Sequence, residues 1–482
     1  MALRIPLIYS KNGNIQEIIK VINGCIENSS NILIVGNGFD LALGKSSKYQ
    51  DFLLYLFIIC LYQNIQIDED KKSAFWKDLK QMPNKQEYDK HIDDVIDIAE
   101  KRIKSNGNFD WLKKPSKGYS FLELLLKVIF QNANLKNKAR INAGSNDSTV
   151  FDYWFPEYVD KKDYNLECNY YIVEKFCDTS LTAIKEKICV FWKDLIEEID
   201  KNHLHGWLDI ESFIDCLVLK NKILMNRFVV SKHLLDDLCT PLPFDGLYLD
   251  LKVSNQIYQS LDKFTNEFCE FISLQNDNQT DSSYYSRAFD EETSKYECLI
   301  HNQKLSISTY HGHNFNQIIT SIIDFNYSNT SEITFLSSYK SKDNFSIYQV
   351  NGKCQDKSAV FGYTNSNQIQ VNSEAFKFEK RTQRLLKNVP SVDFDQLTQS
   401  YFNMFIFGHS CSLADKDIFE PLLKSDHLQF VIVFCFSELD RISIYKNLCE
   451  MVGYQYMDHL LRQTDSPNQR LIWALYRDNK QS

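Results

Sequence analysis

Apolar and polar positions change their period along the chain. Asn31-Ile-Leu-Ile-Val35 is a short, unbroken apolar run rich in β-branched residues, the pattern of a strand covered on both faces in a parallel sheet. It runs directly into Gly36-Asn-Gly-Phe-Asp40 and Leu41-Ala-Leu-Gly44, and an apolar stretch with Tyr49, Phe52 and Leu53 follows. Strand, glycine turn and helix together predict the opening of a nucleotide-binding α/β unit. From about Tyr62 to Asn316 the period is helical, as in Ile92 to Ile103, Phe121 to Phe130, Ile184 to Ile199 and Ile257 to Leu274. Strand patterns return at Ile318 to Phe325, Ser346 to Val350, Ala359 to Phe361, Asn403 to Phe407, Phe430 to Phe436 and Leu471 to Tyr476. The expected fold is α/β: a Rossmann-like parallel-sheet domain made of residues 1–61 and 317–482, interrupted by a large helical insertion over 62–316.

Composition narrows the class. The 482 residues are 44% apolar and 24% charged, with 33 Phe and 26 Tyr, which suits a globular protein with a large core. A net charge of −9 argues against a protein that simply coats nucleic acid. The 13 Cys include no C-x-x-C pair, so neither a zinc ribbon nor a secreted disulfide framework is expected. Reduced thiols in a cytoplasmic protein fit better. The N-terminus lacks the apolar core of a signal peptide. The longest apolar run, Phe52 to Tyr62, is too short to cross a bilayer, so no membrane partner is expected.

The glycine turn has two readings. Its glycines either form a tight turn or let a phosphate or ribose approach the backbone. Asp40, close to the expected helix start, is either an N-cap or a partner for a ribose hydroxyl. His203-x-His205 and His311-x-His313 lack a third ligand at useful spacing, so no metal is predicted. Lys377, Lys380, Arg381, Arg384 and Lys387 share a helical face, read as solvated surface or as a phosphate or nucleic-acid contact. There is no Walker A loop, G-x-S-x-G elbow or H-E-x-x-H motif.

The string from Asn31 to Gly44, followed by Tyr49-Gln-Asp-Phe52, closely resembles the opening of the AbiH-like family of bacterial abortive-infection proteins. Later segments agree in order. Trp207-Leu-Asp-Ile-Glu211 resembles the family's W-x-D-x-E, and Asp324-Phe-Asn-Tyr-Ser-Asn-Thr330 its F-N-Y-T-x-T. Ile406-Phe-Gly-His-Ser410 with Asp415 and Asp417 resembles its G-H-S-x-x-x-x-D. The family is in turn similar to a divergent sirtuin-like, NAD-binding domain. That resemblance implies a nucleotide site with NAD as ligand or substrate, lined by Gly36, Asn37, Gly38, Asp40, Gly44, Asn351, Gly408, Ser410 and Asp415. Asn326 and His409 are its catalytic candidates, with Asp209, Glu211 and Lys380 in support.

One position departs from the pattern. Both groups carry a His-Gly after the next strand, whose His is the base; the aligned residues here are Val350-Asn351-Gly352. Asn cannot accept a proton near neutral pH. His409 is the candidate substitute, or else it fixes the loop after its strand. Asp415 and Asp417 are also candidate helix caps. The resemblance implies a phage-defence protein that hydrolyses NAD at the nicotinamide–ribose bond through an oxocarbenium-like transition state. The Asn351 change leaves a non-catalytic nucleotide-binding sensor or regulator open, and the basic face a nucleic-acid-directed effector. A phage protein as trigger and a homo-oligomer are the other partners the resemblance implies.

Overall fold

A computed structural model describes residues 15–45, 47–64, 69–81, 89–105, 107–112, 239–241, 247–249, 251–275, 282–300, 303–306, 315–336, 345–363, 374–461 and 470–477, with isolated helical positions between 121 and 214. The chain divides into a first unit of residues 1–45, 278–360 and 383–482, and a second of 46–277 and 361–382.

The first unit holds an eight-stranded sheet. Its strands are β1 (Ser30–Val35), β2 (Tyr296–Ile300), β3 (Gln303–Ser306), β4 (Ser321–Asp324), β5 (Ser346–Gln349), β6 (Phe402–Phe407), β7 (Leu428–Cys435) and β8 (Leu471–Tyr476). Their spatial order is β3-β2-β8-β7-β6-β1-β4-β5. From β8 to β5 all neighbours are parallel, whereas β2 joins β8, and β3 joins β2, antiparallel.

Unbroken apolar runs make these strands because both faces are covered. Leu33, Val35, Phe405 and Phe407 face one core with Ile22 and Ile26 of α1 (Ile15–Asn28), Phe39 of α2 (Asn37–Ala42) and Phe289 of α3 (Ser282–Ser294). Phe39 meets Phe289 edge-on at 5.0 Å between centroids. Ile32, Ile34, Met404 and Ile406 face the other core, with Phe419 of α4 (Lys416–Leu423), Leu448 of α5 (Glu438–Val452) and Leu460 of α6 (Tyr454–Leu461). At the amino ends of β1 and β6, buried Asn403 donates to Asn31 Oδ1 at 2.9 Å, and Asn31 donates to the Ile26 and Ile318 carbonyls.

The second unit is largely helical among its described residues, with one small antiparallel pair, Cys239–Pro241 and Leu247–Leu249. Its helix Tyr49–Asn64 is apolar on all sides, and Phe52 to Leu61 are buried. Phe52 packs against Phe264, Phe268 and Phe271 of helix Leu251–Gln275. Glu267 of that helix accepts from Tyr55 at 2.6 Å and from both Arg102 Nε and Nη2 at 2.9 Å.

Several expectations shift. The first sheet segment ends at 45, not 61, because helix Tyr49–Asn64 finds its aromatic partners inside the second unit. The sheet resumes at Tyr296 rather than 317, because the β2–β3 hairpin extends it antiparallel. Residues 361–382 return to the helical unit, where Phe361 packs on Phe268. Ile318 belongs to a short helix, Phe315–Ile318, so β4 starts later than expected. Ala359 to Phe361 is not a strand: the Val360 N–H bonds the Asn351 carbonyl across a turn. Among the described residues no helix is long and apolar enough to cross a membrane.

Candidate functional site

Taken in chain order, the six parallel strands lie 3-2-1-4-5-6 across the sheet, with β1 and β6 at the reversal. In doubly wound sheets this reversal opens a crevice at the carboxyl ends of the strands, where ligands bind. Here that end carries residues 36–40, 325–328, 350–352 and 408–411, after β1, β4, β5 and β6. Most of the residues singled out from the sequence therefore meet in one place.

The two loops at the reversal touch. The Gly38 N–H donates to the Gly408 carbonyl at 2.9 Å, and the Gly36 N–H to the Phe407 carbonyl at 3.1 Å. A Cβ on Gly36 would sit 2.7 Å from both Gly408 O and His409 Cα, and one on Gly38 would sit 2.6 Å from Gly408 Cα. Gly408 itself has φ +63°, and its Cβ would meet the Gly38 carbonyl carbon at 2.5 Å. Packing of loop on loop thus accounts for these three glycines. Gly44 (φ +80°) follows the end of α2 and meets nothing within 4 Å, the position of a left-handed helix terminator. α2 begins at Asn37, not near Leu41, with Gly36 at the cap position. Asp40 lies inside this helix and is no N-cap; Asn37, half-buried, is its first residue.

Asp40 and Asp324 are buried carboxylates. Ser328 Oγ bridges Asp40 Oδ1 at 2.9 Å and Thr330 Oγ1 at 2.8 Å. Burial pushes the Asp40 carboxyl up to about 6, opposed by the Ser328 and Thr330 hydroxyls and the Lys45 charge. Asp324 accepts from Ser331 Oγ, from the Asn326 N–H at 2.8 Å and from Gln349 Nε2 at 2.9 Å. Burial raises it to about 7, and the negative charge of Asp40 adds to the rise. Asp324, Ser328, Ser331 and Gln349 were not among the expected site residues. The available signal was a lone carboxylate closing the apolar run Ser321-Ile-Ile-Asp324.

The amides lie on the neighbouring turns. Asn326 and Asn351 are 3% and 4% exposed. Asn351 Nδ2 donates to the Phe325 carbonyl at 3.1 Å, which fixes the amide and leaves its Oδ1 without a partner. Asn326 Nδ2 is likewise buried without a partner. Beside them Arg384 donates to the Val350 carbonyl at 2.7 Å and pairs with Asp417, while its Nη2 is unmatched.

His409 is a brace. Its Nδ1 accepts the Cys411 N–H at 2.9 Å, its ring lies 4.3 Å from Phe325 and 4.9 Å from Phe419, and Nε2 is 3.5 Å from Asp415. With Nδ1 engaged as acceptor, the neutral ring carries its proton on Nε2 and gains a second only by giving up Cys411. Asp415 sits at the start of α4, but its side chain makes no capping bond; Asp417 pairs with Arg384 instead of capping. The Ser410 carbonyl accepts from Asn447 at 2.9 Å.

The remaining candidates fall elsewhere. Asp209 and Glu211 lie outside the described residues. Lys380 is in the second unit and 1% exposed. The expected basic face is not a shared solvated surface. Lys377 donates to Asn255, Arg384 faces Asp417, and Lys387 donates to the Ala359 carbonyl at 2.6 Å. Among the described residues no cluster of His, Cys, Asp or Glu has the geometry to hold a metal ion.

The fold and site define an α/β protein with a mostly parallel, Rossmann-like sheet and a polar crevice end at its reversal point. No family model matches the chain, and no curated protein matches it.

Proposed function

We propose that this chain binds a nucleotide, with NAD the first candidate, at the carboxyl ends of β1, β4, β5 and β6, and acts in phage defence by splitting the nicotinamide–ribose bond. The observation that carries the binding half is the pair of buried, unmatched amide atoms, Asn326 Nδ2 and Asn351 Oδ1, beside the reversal of strand order. A buried polar atom without a partner costs about 1–3 kcal/mol, and a ligand with a donor and an acceptor removes that cost. The defence role and the choice of NAD rest on the AbiH-like and sirtuin-like resemblance.

Bond cleavage at that site asks for a held ribose, a placed water and a base. Asn326 is placed to orient water or a ribose hydroxyl. Asp40 and Asp324, raised to about 6 and about 7, are carboxylates whose affinity for protons suits a general base near neutral pH. A second reading, a non-catalytic nucleotide sensor, is favoured by the engagement of His409 with Cys411 and by Asn351 in place of a base.

Asn326→Ala separates function from folding, because the side-chain nitrogen it removes holds no partner. Calorimetric titration with NAD and ADP-ribose is expected to give saturable binding in the wild type and at least tenfold weaker binding in the variant. Equal affinity in both, or none in the wild type, refutes the site. Nicotinamide release by the wild type alone selects the enzyme; binding without release, before and after phage challenge, selects the sensor.

A further inference from the structure

A second cavity lies away from the strand reversal, along β5, the last strand of the sheet on its side. It is an open cleft of about 760 Å³, within the size range of small-molecule sites. One wall is apolar, formed by Leu336, Phe345, Ile347 and Pro390. The opposite side is polar, and its charges are mutually answered. Lys353 pairs with Glu332 at 2.7 Å, Lys387 donates to the Ala359 carbonyl, and Asp356 accepts the Ser358 N–H at 3.0 Å. The two cations and two carboxylates leave the lining without net charge.

Gln349 gives the cleft its direction. It lines the cavity yet is 6% exposed, and its Oε1 has no partner. The amide cannot simply turn over. Its Nε2 donates to Asp324 Oδ2 at 2.9 Å and to the Ser328 carbonyl at 3.2 Å, and both partners are acceptors. The cleft therefore holds a fixed, buried acceptor that requires an N–H or O–H donor.

We propose that this cleft is a second small-molecule site that takes an uncharged nucleoside, its flat base against the apolar wall and a donor of the base or ribose on Gln349 Oε1. The neutral lining disfavours a phosphate, whose charge would meet no unanswered cation. This site is independent of the nucleotide reading given above.

The test titrates the full chain with adenosine, inosine, cytidine and uridine by calorimetry. Pro390→Trp blocks the cleft from an exposed rim position, so folding does not depend on it. Gln349→Met removes the acceptor at similar length. Far-UV circular dichroism and thermal unfolding check both variants. At least one nucleoside is expected to bind the wild type, to lose binding in Pro390→Trp, and to bind roughly tenfold more weakly in Gln349→Met, the effect of one lost hydrogen bond. Asn326→Ala should leave this binding intact. No saturable binding of any of the four overturns the proposal. So does binding that survives in Pro390→Trp, or that disappears in Asn326→Ala. NAD affinity measured on the same variants keeps the two sites apart: it should persist in Pro390→Trp and fall in Asn326→Ala.

Discussion

Replacing glycine by alanine inside a helix ordinarily stabilises a protein by roughly 0.5–1 kcal/mol, because the unfolded chain has less freedom to lose. Gly24, in α1, has nothing within 4 Å of its would-be Cβ, so Gly24→Ala should follow that rule. Gly38 is also helical, in α2, but its Cβ would lie 2.6 Å from Gly408 Cα. Backbone cannot rotate aside as a flexible side chain can, so the two loops must separate and break the bond from Gly38 to Gly408. Overpacking of this kind costs about 1–3 kcal/mol, which reverses the sign. Gly408→Ala meets the same contact from the other side and adds the strain of φ +63°, about 1–2 kcal/mol for an L-residue. The ranking is Gly24→Ala stabilising, Gly38→Ala destabilising and Gly408→Ala worst. Once the loops have parted, the second substitution costs less, so the double variant should lose less than the sum of the singles. Urea unfolding gives the energies, and hydrogen exchange of peptides over β1 and β6 assigns the change to the first unit. If Gly38→Ala gains stability like Gly24→Ala, or if the losses add, the loops do not pack as described.

Other perturbations test the rest of the site. Burial raises Asp324 to about 7 and Asp40 to about 6 from 3.8, so the folded chain holds more protons than the unfolded one between about pH 4 and 7. Their contribution to stability is complete below about pH 4 and is lost as pH rises through 6 and 7, by at most about 4 kcal/mol for Asp324 at about 1.4 kcal/mol per pKa unit; thermal unfolding across pH 4–8 should be flatter in Asp324→Asn, and an identical slope in both proteins refutes this. Arg384→Met leaves the Asp417 carboxylate, 5% exposed, without its cation and should cost about 3–5 kcal/mol in urea, largely restored in Arg384→Met with Asp417→Leu. Ser437 caps α5 by accepting the Asp440 N–H at 3.1 Å, so Ser437→Ala should cost about 1 kcal/mol and Ser437→Asp little; equal losses in both would show that the cap is not the cause.

Much of the fold was legible because its strands are read by one simple rule. A strand covered on both faces has no polar side, and 31–35, 403–407 and 471–476 are apolar throughout. The β2–β3 hairpin escaped the same rule. Tyr296-Glu-Cys-Leu-Ile300 alternates polar and apolar residues inside a region of helical period, and only pairing with β8 reveals its place. The domain boundary at 61 failed for a different reason: helix Tyr49–Asn64 is apolar all round, so the sequence names no face and no partner. At the site, the motifs located the right turns but not the work of each residue. Gly36, Gly38 and Gly408 are glycines whatever they face, and only the fold shows that they face one another. The basic face failed because helical spacing assumes one continuous helix, whereas Lys377 lies in a 3-10 turn and Lys380 begins the α-helix.

The unmatched polar atoms of the first unit are not spread evenly. Asn23 and Asn403 carry one each, in α1 and at the amino end of β6. Asn326, Asn329, Gln349, Asn351 and Arg384 carry the others, all on turns at the carboxyl ends of β4 and β5 or bonded to them. A packed interior normally pairs such atoms, and each orphan weakens the fold. The contrast with the adjoining carboxylates is instructive. Asp40 and Asp324 have every stabilising partner the turns can offer, from Ser328, Ser331, Gln349 and the Asn326 N–H. Those bonds hold the backbone of 324–331 in place, and by holding it they prevent the neighbouring amides from turning toward partners of their own. Rigid carboxylate anchors beneath and fixed, unsatisfied amides beside them are two parts of one arrangement. Loosening the anchor should therefore free the amides. Asp324→Asn, which weakens the acceptor for Ser331 and Gln349, is expected to reduce ligand affinity at Asn326 even where it flattens the pH profile of stability.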